Sequence, residues 1–496
     1  MLIVREIPFE ADTLLHALLN LDPARRVSIL DSGGSRGDEA RFLIAGFDPF
    51  EVVEAWGDRL LIAREGEGVE SVTGGDALRV LDDHLERYRV TQSPDVRLPA
   101  AGACIATFSY DLVRRLERLR SRPFGAMSEP DAVLAFYDTL VIHDYASART
   151  KIVSVAGPER LAKIHDAIKD AATNLKARTP GEMEANGRSS HRQPHPFPLD
   201  LSVASSDPAL TSNFTRDEYV AAVHRIKTRI AAGDIYQANL TQQLSIKVAK
   251  DLRPEHIFLR LRRHHPASFA AFIRRRRDTV ISASPERFLR VEASGHASAR
   301  CVEAWPIKGT RPRGRNAEED ERLRAELRSS EKDRAENVMI VDLLRNDLGR
   351  VCEYGSIEVP ELFTIQEHPT LFHLVSKVRG RLREQVKAGD LLRASFPCGS
   401  VTGAPKIRAM EIIDEVETAP RGLSMGAIGY FSFDGALDLS VAIRTMTVMD
   451  GTARFNVGGG IVADSDPLLE YEESLVKARA LLHALGIRDA SQKRIG

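Results

Sequence analysis

Polar and apolar positions fall into two sharply different rhythms just past residue 213. In "TRDEYVAAVHRIKTRIAAGD", Val220, Val223, Ile226 and Ile230 recur at helical spacing, with Thr215 and Glu218 at capping-box spacing and Gly233 as a stop. The spacing predicts a helix. The next stretch, "IYQANLTQQLSIKV", switches to period two. Ala238, Leu240, Leu244, Ile246 and Val248 alternate with Gln237, Asn239, Thr241, Gln243 and Ser245, the signature of a strand with one buried face. Its polar face is ordinarily solvated; the alternative is a row of amides and hydroxyls lining a polar cavity.

Nearer the N-terminus, "RFLIAGF", "RLLIA" and "AVLAFYDTLVIHDY" alternate with turns and a helical stretch, which predicts a mixed, strand-rich region. Residues 179–213 are rich in Pro, Ser, Gly and charge and cannot bury enough apolar surface to order themselves. The expected organisation is an N-terminal segment 1–178, a linker 179–212 and a second segment 213–488. No internal repeat is present. A chain of 496 residues is too long for one ordinary core, so two domains or one large composite fold is expected.

Composition narrows the class. Apolar residues make up 43% and charged residues 28%, and the formal charge of −1 provides no field for nucleic acid or a membrane surface. The cysteines, Cys104, Cys301, Cys352 and Cys398, are far apart, which argues against a disulfide framework or a structural zinc site. No signal-peptide core and no apolar stretch of roughly 20 residues is seen. A soluble, cytoplasmic protein is expected.

Candidate chemistry sits in two acid pairs. In "EKDRAENVMIVDLLRNDLG", Asp333 and Glu336 share a helical face. In "DSDPLLEYEESLVKARALL", Asp466 is a good N-cap, Pro467 a good first residue, and Glu470 and Glu473 follow on one face. Such pairs are usually solvated; two that met would suit Mg²⁺, which takes carboxylates plus waters and substrate. Glycines punctuate "PCGSVTGAPK" and "FNVGGGIVADSD", where inward backbone N–H groups can hold a carboxylate. The first lacks the order of an NTPase phosphate loop. Arg444, in an apolar strand pattern, needs either an anionic partner or a cavity. Lys308, in "PIKGTRPRG", is a surface cation or a nucleophile.

Residues 213–486 resemble the chorismate-utilising enzymes, the family of anthranilate, aminodeoxychorismate, isochorismate and salicylate synthases. The blocks "GDIYQANL", "SASPERFL", "PIKGTRPRG", "EKDRAENVMIVDLLRNDLG", "LFHLVSKVRG", "GSVTGAPKIRAMEIIDE", "GGGIVADSD" and "EESLVKARA" stand in the family's order, and "ILDSGG" with "RFLIAGFDPFE" extends the likeness towards the N-terminus. The resemblance implies an α/β (α+β) sandwich of mainly antiparallel sheets enclosing the active site, flanked by helices. It implies Mg²⁺ on Glu336 and Glu473 with Asp333 and Glu470 in support. Chorismate would be held by Arg444, the backbone of Gly458, Gly459 and Gly460, Ser400 and the turn containing Gly403. Glu286 would be the general acid and base, and His373 would lie beside the ring. Asp31 and Ser32 match the stretch where relatives hold a regulatory or structural tryptophan.

Two positions then choose among the family's reactions. Gln237 stands where water-adding relatives carry a lysine base. Lys308 stands where the C2-aminating branch has alanine, and lysine there is the mark of the C4-aminating branch. Lys308 is then a nucleophile, with Arg311 and Arg313 expected to favour its neutral form. C2 amination is the alternative, and a non-catalytic chorismate or tryptophan binder a remote one. No cysteine stands in the G-x-C-x-G elbow of a glutaminase, so ammonia is expected from a separate glutamine amidotransferase subunit. Ser424 and Asn337 depart from the family's usual tyrosine and histidine; loss of the tyrosine would enlarge or wet the site.

Overall fold

The capping box forms as its spacing predicts. Thr215 Oγ accepts the Glu218 N–H and Glu218 returns a bond to the Thr215 N–H, opening helix Arg216–Ala231. The buried stripe is Tyr219, Ala222, Val223 and Ile226, while Val220 and Ile230 of the expected face are half-buried. The computed structural model describes residues 2–34, 41–91, 98–119, 128–178, 210–293, 300–368 and 371–487.

Strand Gln237–Lys247 follows, with Leu240, Leu244 and Ile246 buried as expected. Its polar face corrects the ordinary expectation: Gln237, Asn239 and Thr241 are buried too. The physical reason is a covering layer. Helices Arg216–Ala231 and Lys406–Val416 pack on the apolar face, while the connection from Glu417 to Arg421 crosses the polar one, bonding to Thr241, Asn239 and Gln243.

Among the described residues the strands form two twelve-stranded sheets, almost wholly antiparallel in their pairing. Their inner faces share an apolar layer that includes Ile44, Val52, Ile105, Val133, Ile273 and Ile428. Outside one sheet lie helices Ala77–Arg87, Glu331–Gly349 and Ala388–Ser395; outside the other lie Ala11–Leu19, Pro158–Arg178, Pro254–His264 and Pro467–Ala484. Each fully buried Leu, Ile or Phe of these layers contributes about 1.5–3 kcal/mol. This is the expected helix-flanked sandwich.

Both sheets cross the expected segment boundary. Ser28–Asp31 pairs with Phe269–Arg274, and Ala103–Phe108 with Ala427–Ser432. Segments 1–178 and 213–488 thus share hydrogen-bond ladders, because each alone would leave open sheet edges. Residues 179–209 of the linker lie outside the described residues, whereas Leu210–Ser212 form a short strand on Leu244–Ile246. Among the described residues no helix is long and apolar enough to cross a membrane.

Candidate active site

Strand Ile307–Pro312 carries Lys308 past the first turn of helix Glu331–Gly349. Gly309 makes that passage possible. Its φ is +87°, and a Cβ there would lie 2.8 Å from Leu327 Cδ1 and 2.9 Å from Asp333 Cγ. Lys308 Nζ sits 3.4 Å from Glu336 Oε2, with both side chains only 16% exposed. Ser330 caps the helix by accepting the Asp333 N–H, and Asp333 accepts from Arg311 at 3.2 Å.

The two arginines expected to act on Lys308 are otherwise engaged. Arg311 pairs with Glu326 and Asp333, and Arg313 with Asp320. Their charges are neutralised locally, because acids of helices Ala317–Ser329 and Glu331–Gly349 face them. The charges that Lys308 meets are carboxylates.

Glu286 occupies the turn between strands Thr279–Ser284 and Arg287–Val291 and is buried. Burial pushes its carboxyl up to about 7, against the pull of the Ser400 hydroxyl and the Lys308 charge. Its Oε1 has no hydrogen-bond partner among the described residues. Ser400 lies in the short turn Gly399–Val401, 3.3 Å from Cys398 Sγ.

Beside that turn, Ala238 pairs with Gly403 and Gln237 with Ala404. Gln237 is fully buried, yet neither atom of its amide is hydrogen-bonded among the described residues. Strand Thr452–Ile461 runs antiparallel against it. A Cβ on Gly458 would come within 1.8 Å of Leu240 O, and one on Gly460 within 2.8 Å of Gln237 Nε2. The glycine run therefore brings bare backbone against the amide.

Gly459 faces the second acid pair: a Cβ there would lie 3.2 Å from Glu470 Oε2 and 3.8 Å from Glu473 Oε1. Asp466 caps helix Pro467–Ala484 as predicted, through the Leu468 and Leu469 N–H groups. Glu470 accepts from Ser465 at 2.7 Å; burial, with the nearby Glu473 charge, raises it. Burial also works to raise Glu473, but Lys477 (2.8 Å away), Lys332 and Lys308 outweigh it and leave it lowered. Lys308 thus pairs with Glu336, and its charge also works to lower Glu286 and Glu473. Among the described residues no three His, Cys, Asp or Glu side chains gather at ligand spacing. The side chains of both pairs offer oxygen donors only, with Lys308 and Lys477 lying 3.4 Å from Glu336 and 2.8 Å from Glu473. That donor set fits Mg²⁺.

Arg444 has φ +49° and makes no ion pair with any described residue. Burial lowers its pKa, with no anionic partner among the described residues to offset it. His373 is buried, with Nδ1 3.0 Å from Thr310 Oγ1; burial, His368 and Arg444 push it down to about 3, leaving a neutral ring. Asn337 is buried and accepts from Ser376 at 2.5 Å, and Ser424 accepts the Asn456 N–H at 3.1 Å.

Asp31 and Ser32 lie apart from this cluster, at a cavity lined also by Phe42, Ile44, Phe269 and Tyr430. Asp31 accepts from Arg262 at 2.8 Å and Tyr145 at 2.6 Å. Sequence patterns left two residues unremarked, the buried pair Glu417 and Arg421, whereas Asn239, whose buried Oδ1 is unpartnered among the described residues, stands on the polar face already read from the alternation. The alternation that placed Gln237 also places Asn239 on its face; nothing comparable marks Arg421.

The profile of the chorismate binding enzymes matches residues 35–483. Aminodeoxychorismate synthase component 1 of Klebsiella aerogenes is 37% identical over 97% of this chain and 98% of its own length. Anthranilate synthase component 1 of Acetivibrio thermocellus is 34% identical over 97% of this chain and 94% of its own. Among solved structures, anthranilate synthase component I from Streptococcus pneumoniae superposes with a TM-score of 0.71 at 30% identity, covering 90% of this chain and 93% of that one. Sequence and fold are thus shared with these relatives over nearly the whole chain, and the chain belongs to the chorismate binding enzyme family.

Proposed function

We propose that this chain is an aminodeoxychorismate synthase component 1, converting chorismate and ammonia to 4-amino-4-deoxychorismate. The observation that carries the reading is Lys308, turned in towards Glu336 and acting on the charges of Glu286 and Glu473. The relative from Klebsiella aerogenes with that name supports it over nearly the whole of both chains.

In this reading Arg444, Ser400 and the backbone of Gly403 and Gly458–Gly460 bind the carboxylates of chorismate, and Gln237 and neutral His373 flank the ring. The Lys308 amine bonds to C2 while the C4 hydroxyl leaves, taking the proton of Glu286 to depart as water, and the ring double bonds shift. Ammonia then bonds to C4, the C2–N bond breaks, and Lys308 departs as the amine. Splitting one difficult substitution into two is the gain of covalent catalysis. A carboxyl near 7 exchanges its proton readily at neutral pH.

Glu336 and Glu473 would hold Mg²⁺, with Asp333 and Glu470 in support. A hard cation there would supply charge for a substrate carboxylate and disfavour an ammonium at Lys308. Ammonia would come from a separate glutamine amidotransferase subunit. The likeness also carries a tryptophan site to Asp31 and Ser32, where the ligand's ammonium would have to share Asp31 with Arg262.

Anthranilate synthase is the second reading, favoured by the Acetivibrio thermocellus relative. Product analysis with chorismate, Mg²⁺ and ammonium separates the two: 4-amino-4-deoxychorismate supports the proposal and anthranilate sinks it.

A further inference from the structure

Arg421 is almost wholly buried and makes bonds to three separate pieces of the chain. Its Nη1 donates to Val401 O at 2.8 Å, and its Nη2 to Asn239 O at 2.6 Å. Its Nε and Nη2 also take both oxygens of Glu417, at 2.9 and 2.7 Å. Glu417 in turn accepts the Thr241 N–H at 2.7 Å and its hydroxyl at 2.9 Å. The guanidinium lies 4.3 Å over the ring of Tyr110.

The two carbonyls it joins are telling. Val401 follows Ser400, whose hydroxyl acts on Glu286. Asn239 lies two residues from Gln237, and both carry buried, unpartnered side-chain atoms on the same strand face. A planar fork can hold two carbonyls and a carboxylate in one fixed arrangement; a lysine cannot.

We propose that Arg421, aligned by Glu417, is a positioning residue that sets the spacing between the Ser400 turn and the Gln237–Asn239 strand end, and so holds the substrate-facing amides against Glu286. It touches no reacting atom. The proposal deepens the function given above and rests on it for the identity of the substrate.

A misplacement of about 1 Å at such a site costs on the order of a hundredfold in rate. Arg421→Lys is therefore expected to keep the fold but lower kcat about a hundredfold, with little change in KM. Losing Ser400's hold should also move the pH–rate limb of Glu286 upward, since Ser400 draws that carboxyl down against burial. The charged and thiol groups facing Glu286 are Lys308 and Cys398, which the variant leaves in place. A plain charge-balancing role predicts the reverse: lysine restores kcat and the limb stays put. Should Arg421→Lys fail to fold, Thr241→Val removes one bond to Glu417 and is expected to shift the limb in the same direction. The same titration is read without substrate, from the pH dependence of melting compared with a Glu286→Gln background. An upward shift there supports the positioning role whatever the substrate, and an unmoved titration overturns it. Wild-type protein inert towards chorismate would instead overturn the proposed function.

Discussion

Lys308 Nζ lies 3.4 Å from Glu336 Oε2, at the mouth of a helix whose first turn also presents Asp333. A surface cation would point away from such a cluster, and its loss would cost a few tenths of a kcal/mol. Replacing Lys308 by alanine is expected to change stability by about 1 kcal/mol or less but to cut formation of the C4-amino product by orders of magnitude. The vacated space should admit small nucleophiles to C2, giving traces of a C2-substituted product. Mass spectrometry of wild type with chorismate and no ammonia should show an adduct on the "PIKGTR" peptide. An alanine variant that keeps the wild-type rate would end the nucleophile assignment.

Glu286 gives a pH signature with a definite sign. Its carboxyl is raised from an ordinary 4.5 to about 7 by burial, so the folded protein keeps a proton that the unfolded chain has lost. That contribution is fully present below about 4.5 and is lost as pH rises through about 7, on the order of 3 kcal/mol in all. Glu286→Gln should therefore gain melting temperature relative to wild type between these pH values and hold the gain above them. A difference that is flat with pH would refute the raised carboxyl.

Metal dependence tests the two acid pairs together. EDTA is expected to abolish turnover and excess Mg²⁺ to restore it. Glu336→Ala and Glu473→Ala should each lose most activity while melting as folded proteins. Full activity after chelation would show that the pairs do not share an ion.

Nitrogen supply is tested with the chain alone. All four cysteines are free, and three are buried. Glutamine by itself should yield no product, ammonium should, and adding a glutamine amidotransferase subunit should confer glutamine dependence. Glutamine turnover by the purified chain would overturn the separate-subunit proposal.

His373 should contribute no limb to the pH–rate profile. Burial, His368 and Arg444 hold it down at about 3, so its ring stays neutral through the working range. His373→Asn should lower the rate without moving either limb; a limb that vanished would show that His373 titrates there after all.

Local order was legible in the chain. The caps at Thr215 and Asp466, the strand of Gln237 and the shared helical faces of each acid pair follow from spacings of two to four residues, which backbone geometry fixes without help from distant contacts. The block order around Lys308 was also enough to place the chain in its family. What spacing could not decide was which polar groups would be buried. Gln237 and Asn239 look like a solvated strand face until the connection carrying Glu417 and Arg421 closes over them from nearly two hundred residues away. Arg311 and Arg313 look like free cations beside Lys308 until the acids of the next helix take their charges. Burial and charge neutralisation depend on which distant surfaces meet, so only the tertiary structure could assign Glu286 its raised carboxyl, Arg444 its missing anion and Lys308 its pairing with Glu336.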